Sequence, residues 1–212
     1  MKINYDLELE RIIKESEGKM PSLLLHSCCA PCSSSVIERL KDYFEITIFY
    51  YNPNIEPEEE YLKRKEEQIK LLKKIGGIDF LDCDWENEEF KKLSKGLEHL
   101  PEGGQRCHKC YYKRLEKTAI TAKKNNFEYF GTTLTVSPYK NSQVINAIGK
   151  EISDIFKINY LFSDFKKKEG YKRSIELSKK YNLYRQNYCG CIFSKENVNY
   201  NFSTCTNDKK QL

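Results

Sequence analysis

The chain has 212 residues, 39% of them hydrophobic and 32% charged, with a formal net charge of +5. That length suits one full domain with a real core, and the positive balance is compatible with a nucleic-acid partner without requiring one, because lysine-rich surfaces are more often simply solvated. No apolar run approaches the roughly 18 residues of a membrane span, and the N-terminus, MKINYDLELERIIKESEGK, lacks the apolar centre of a signal peptide; a cytoplasmic protein with no membrane attachment is expected.

In chain order, residues 3–17 read as an amphipathic helix with Leu7, Leu9, Ile12 and Ile13 on its apolar side. Ser22 to Ser27 reads as a buried strand that stops at Cys28, Cys29 and Cys32. Ser33 or Ser34 is the expected cap of a helix running to about Lys41. Glu45 to Tyr51, rich in β-branched and aromatic residues, is a second strand. Asn52, Pro53 and Asn54 turn the chain, and a helix opens at Pro57 with three glutamates suited to the helix dipole. It runs to about Lys74, where Gly76 and Gly77 stop it. Ile78–Cys83 is a third strand, Glu86–Lys95 a short helix, and His99–Gln105 a glycine-containing loop. A helix from Cys107 to about Lys124 follows, with Leu115, Ala119 and Ala122 on one side. Phe127–Thr133 is a fourth strand, Ser142 to about Ile155 a helix, and Asn159–Phe162 a short fifth strand. Lys166–Lys180 begins as a lysine-rich loop and becomes a helix, Leu183–Phe193 is a closing segment, and 195–212 is a polar tail expected to be disordered. Strands alternating with helices argue for an open, mostly parallel sheet covered by helices on both faces, with ligands at the carboxyl ends of the strands.

Nine cysteines are too many for ordinary packing in a compartment that disfavours structural disulfides. They fall into three groups: Cys28, Cys29 and Cys32; Cys107 and Cys110; Cys189 and Cys191. Cys83 and Cys205 are isolated and read as spectators. Cys107-His108-Lys109-Cys110 at a helix start is a metal knuckle or a dithiol, and a helix N-terminus favours thiolates. Joined by Cys28 and Cys29 it offers four thiolates, which suits zinc or an iron–sulfur cluster. Side chains of neighbouring cysteines tend to diverge from one small ion, so the cluster is favoured over zinc. Cys189-Gly190-Cys191 closes a very small ring if oxidised, and glycine best accepts the strain. It is a dithiol able to deliver two electrons, or else two further ligands. Cys32 stands as a further candidate ligand, a ligand for a second metal, or a buried thiol. His26 and His108 are acids, ligands or, more often for such histidines, structural. Tyr139, Lys140, Lys166–Lys168, Tyr171, Lys172, Arg173, Tyr184, Arg185 and Tyr188 mix aromatics with cations, as single-stranded RNA loops require; a charged helix face over an aromatic core is the plainer alternative.

Five blocks together are specific: LLLHSCCAPCSSS, YYNPNIEPEEEYLKR, PEGGQRCHKCYYKRLEKTA, TTLTVSPYKN and GYKRSIELSKKYNLYRQNYCGCIFS. In order, over about residues 22–194, they resemble the QueH-type epoxyqueuosine reductases. The resemblance implies reduction of the epoxide of epoxyqueuosine, at the wobble position of tRNA, to queuosine, as the last step of queuosine synthesis and without cobalamin. It implies a [4Fe–4S] cluster on Cys28, Cys29, Cys107 and Cys110, a catalytic redox pair in Cys189 and Cys191, and an additional mononuclear metal, iron, beside the cluster. It further implies a fold similar to nucleotide-binding domains of the ATP-pyrophosphatase type, although this chain has no glycine-rich phosphate loop and ATP is not expected. The expected organisation is an N-terminal helical extension (1–20), one α/β iron–sulfur catalytic domain (21–194) closed by a helical and loop segment, and the tail (195–212). The protein is expected to be a monomer that takes electrons from an external donor. If every cluster iron carries a cysteine, the second metal would need Cys32, shared cysteines, or a nearby carboxylate such as Asp82 or Asp84. Two other readings remain: an iron–sulfur tRNA-modifying enzyme that transfers sulfur, and a zinc-stabilised RNA-binding module.

Overall fold

Leu23, Leu24 and Leu25 are all fully buried, and their alternation explains the architecture. In the computed structural model, which describes residues 2–195, they lie on β1 (Ser22–His26) at the centre of a five-stranded sheet. Successive side chains on a strand face opposite ways. Leu23 and Leu25 therefore enter one core with Leu9, Ile12 and Ile13 of α1 (Tyr5–Ser16) and Val36, Ile37 and Leu40 of α2 (Ala30–Leu40). Leu24 enters the other, with Leu115, Ala119 and Ala122 of α5 (Gln105–Lys124) and Ile145 and Ile152 of α6 (Ser142–Phe156). Each such leucine contributes about 1.5–3 kcal/mol of burial, and a strand buried on both faces belongs inside a parallel sheet.

The remaining strands are β2 (Glu45–Phe49), β3 (Asp79–Leu81), β4 (Tyr129–Thr132) and β5 (Asn159–Tyr160). All pairings are parallel, in the order β3-β2-β1-β4-β5. The order reverses between β1 and β4. Loops leaving two neighbouring strands there part to opposite faces and open a crevice at their carboxyl ends. His26 pairs in register with Thr132, so the Cys28 loop and the segment after Thr132 leave the sheet side by side.

The other helices are α3 (Glu58–Ile75), α4 (Asn87–Ser94) and α7 (Gly170–Lys180). Glu58, Glu59 and Glu60 sit in the first turn of α3, and Gly76, at φ +74°, ends it, as expected from dipole and cap chemistry. The expected α/β architecture is present, with several boundaries moved. Leu7 is 65% exposed, because α1 turns only Leu9, Ile12 and Ile13 toward the sheet. Serine capping of α2 is not found. The helix starts at Ala30, with Cys29 as its cap residue and Pro31 in its first turn. Ser33 and Ser34 are already inside it and donate back to the Ala30 and Pro31 carbonyls at 3.1 and 2.8 Å. Cys32 is thereby a first-turn residue rather than a loop residue. Likewise α5 opens at Gln105, two residues before Cys107. Of the expected tail, residues 196–212, with Cys205, lie outside the described residues.

Candidate metal and redox centre

The abrupt end of β1 delivers Cys28 and Cys29 into the crevice, and the first turn of α2 returns Cys32 to them. Their three sulfurs lie within 4.8 Å of one another, and Cys28 Sγ and Cys29 Sγ are 3.9 Å apart. Neighbouring cysteines converge here because Cys29 is extended (φ −174°, ψ 158°) where strand gives way to helix. The divergence argued from sequence against a single small ion does not hold at this site. Two thiolates on one tetrahedral zinc-sized ion would be separated by about 3.8 Å. Cys28 is also fixed by Thr133, just after β4, whose hydroxyl accepts from the Cys28 N–H at 3.2 Å and meets its sulfur at 3.5 Å. The three sulfurs are within reach of shared protons. The Cys29 and Cys32 thiols donate to Cys28 and hold it well below the usual thiol range. Cys29 is pushed up to about 12 by that donation together with burial. Among the described residues, no histidine or carboxylate joins this triad. Asp82 and Asp84 instead line a separate surface cavity of about 350 Å³ with Cys83 and Trp85, and Asp82 pairs with Lys65.

Cys107 and Cys110 ride the first turns of α5, which packs against β1. Cys107 Sγ accepts from the Gly103 N–H at 3.3 Å. Cys110 is buried with Cys191, Phe90 and Phe193, and burial pushes its thiol up to about 11. These two sulfurs are not part of the compact triad.

The Cys189-Gly190-Cys191 hairpin is held by α3. Arg64, 1% exposed, donates through Nε to Glu60 at 2.7 Å and through Nη1 to the Cys189 carbonyl at 3.2 Å, and its guanidinium lies over Tyr188. Gly190 sits at φ +113°, and a Cβ there would lie 2.8 Å from Arg64 Nη1. The backbone conformation that favours glycine is thus present in the reduced hairpin. Both cysteines are free thiols. Donation from Cys191 holds Cys189 well below the usual thiol range, with help from Lys140 and Arg114, and raises Cys191 correspondingly. Burial works against the charge on Lys140, but Cys189, Tyr111, Cys28 and Cys32 overcome it and raise the lysine.

The residues that join the three cysteine groups were not singled out from the sequence. Arg114, 2% exposed, lies one helical turn beyond Cys110 and donates to Asn52 Oδ1 and, at 3.2 Å, to His26 Nε2. The same His26 Nε2 lies 3.1 Å from the Tyr51 carbonyl, and its Nδ1 is 2.8 Å from Thr132 Oγ1. Burial, then the Arg114 charge, pushes His26 down to about 3. It is a neutral structural group. Asn52, read only as a turn residue, also donates to the Ser27 carbonyl at 2.9 Å. In a chain one-third charged, an arginine on a lysine-rich helix reads as solvated. The signal was its spacing, on one face with Cys107, Cys110 and the apolar Leu115.

The late basic and aromatic residues are partly engaged with each other. Lys63 lies over Tyr184, Arg185 over Tyr171, and Arg173 pairs with Glu38. Tyr139, beside Lys140, is 78% exposed. Cys83 donates to the Tyr50 carbonyl at 3.2 Å as a spectator would. No described helix is long and apolar enough to cross a membrane.

This is a doubly wound α/β protein that places a thiol site at the switch point, where other proteins of this architecture cradle phosphates. The model of the family described as "Epoxyqueuosine reductase QueH" matches residues 23–197. A protein of that name from Staphylococcus epidermidis is 43% identical over 98% of this chain and 91% of its own. Others from Streptococcus pyogenes (42%, over 91% and 78%) and Thermotoga maritima (39%, over 82% and 91%) agree. The chain belongs to the QueH epoxyqueuosine reductase family.

Proposed function

We propose that this protein reduces the epoxide of epoxyqueuosine at the wobble position of tRNA to queuosine, in the cytoplasm, as a monomer supplied by an external electron donor. The observation that carries this reading is the compact Cys28, Cys29 and Cys32 triad at the switch point, together with the packing of Cys110 of the second thiol group against Cys191 of the third.

The donor set fits a [4Fe–4S] cluster: soft sulfur ligands alone, partly or fully buried, next to a buried cation with no carboxylate partner. Cys28, Cys29, Cys107 and Cys110 would hold it, and Cys32 is assigned to one further iron on the side of Cys28 and Cys29. When bound, such a centre supplies single electrons and a Lewis acid for the epoxide oxygen. The chain's own chemistry balances the reaction. Removing the oxygen as water, to leave a C=C bond, takes two electrons and two protons. Oxidation of Cys189 and Cys191 to a disulfide releases two of each. The Cys189 thiolate is ready to react, the Cys191 thiol keeps a proton, and the Lys140 ammonium, whose charge acts on Cys189, carries another. The external donor then reopens the disulfide. The exposed Tyr139 and its neighbour Lys140 would offer an aromatic and a cation to the anticodon loop.

The test is anaerobic purification with iron and sulfide analysis, then incubation with epoxyqueuosine-containing tRNA and a reductant, with the digested nucleosides read by mass spectrometry. Queuosine is expected. A thiolated nucleoside instead, or a colourless zinc-loaded protein with no turnover, would overturn the proposal.

A further inference from the structure

Among the described residues the fold buries three arginines to 2% exposure or less, and they are balanced differently. Arg64 has the Glu60 carboxylate. Arg106 donates through Nη1 to the carbonyls of Leu97, Glu98 and Leu100 at 3.0, 2.8 and 2.7 Å. Arg114 has no carboxylate; its oxygen and nitrogen acceptors are the Asn52 amide and the neutral His26 ring. An ion taken out of water needs a compensating charge nearby, or the fold bears the full cost. Arg114 donates to His26 of β1 and Asn52 of the turn after β2; Cys110 lies one turn back on its own helix, Cys28 follows His26 by two residues, and the charges of these two and of Cys189 act on it. Among the described residues, the negative charges that act most strongly on Arg114 are those of these cysteines.

We infer that Arg114 is the built-in counter-ion of the metal centre: a positioning residue that draws the ligand thiolates of two segments and the redox thiolate of a third around one fixed charge, and sets the reduction potential of the metal they hold. This rests on the reading above that Cys28 and Cys110 are cluster ligands. A fixed positive charge in a low-dielectric site stabilises whichever state of its neighbour carries one more electron. Arg114 therefore raises the potential and makes the centre easier to reduce. The Asn52 amide suits this role because it holds the guanidinium without neutralising it. An aspartate there would form the ion pair that the fold omits.

The experiment compares wild type with R114Q, R114K and N52D. Each is reconstituted anaerobically, assayed for iron and sulfide, and titrated with a reductant while the electron paramagnetic resonance signal is followed. The expected result is unchanged iron and sulfide per chain, a midpoint shifted to lower potential in R114Q, and most of that shift recovered in R114K. N52D also shifts downward, although Arg114 is intact. Wild-type midpoints in loaded R114Q and N52D, or an upward shift in either, overturn the inference. Should R114Q not fold, the sign of the N52D shift decides alone. A wild-type protein that takes up no iron or sulfide refutes the cluster reading instead, so the two failures are distinct.

Discussion

Replacing Gly190 by alanine tests how the redox hairpin is held. At φ +113° an L-residue bears roughly 1–3 kcal/mol of backbone strain. The new Cβ would also stand 2.8 Å from Arg64 Nη1 and 3.0 Å from Ile55 Cγ1. Arg64 cannot swing away, because it is buried and tied to Glu60 and to the Cys189 carbonyl. The hairpin must move instead. That breaks the bond from the Glu56 N–H to the Gly190 carbonyl, 2.9 Å, worth about 0.5–1.5 kcal/mol. The total is about 2–4 kcal/mol. It falls on a segment held by few bonds, so it should appear as local opening with little change in the thermal midpoint of the whole domain. At a factor of ten per 1.4 kcal/mol, opening becomes about 30- to 700-fold more frequent. Cys191 is buried and reacts only when the hairpin opens. Its alkylation rate in the reduced protein, read by mass spectrometry of the peptide, should rise by that factor. A rate within twofold of wild type would refute the account of how Arg64 and Gly190 shape the hairpin.

Other perturbations test separate parts of the fold. Gly149→Ala on α6 places a Cβ 2.2–2.6 Å from the Tyr160 ring, which Phe130 and Phe162 box in at 5.0 and 5.2 Å. Overpacking of about 1–3 kcal/mol should outweigh the gain of about 1 kcal/mol in helix propensity, so calorimetry should show a lower thermal midpoint, and a raised one would sink the idea. Glu60→Ala leaves the buried Arg64 without its carboxylate and should cost about 3–5 kcal/mol by denaturant unfolding; a loss under 1 kcal/mol would mean that Tyr188 and the Cys189 carbonyl suffice. In Cys32→Ser the iron-to-sulfide ratio should fall while sulfide per chain stays constant, because Cys32 is assigned to the single iron. Loss of sulfide in parallel with iron would make Cys32 a cluster ligand instead.

The arrangement of layers was readable from the chain because it depends on local periodicity. The LLL run, the glutamates after Pro57 and the glycines after Ile75 each state a preference that packing does not reverse. The three cysteine groups were equally visible, because thiols are scarce and their spacing is distinctive. What the sequence left open was decided by contacts between distant segments. Cys32 looked like a leftover because the helix cap was placed at Ser33 or Ser34, four or five residues late; once Ala30 opens α2, that thiol turns back onto Cys28 and Cys29. Asn52 looked like a turn former, and Arg114 was not singled out. Only the sheet order, with β1 between β2 and β4 and α5 packed across it, sets them against His26 and the cysteines. Residue type and spacing determine which groups have reactive chemistry and which elements carry them. Which groups sit against a buried cation such as Arg114 depends on segments 60 or more residues away, as Asn52 is, and that only the tertiary structure decides.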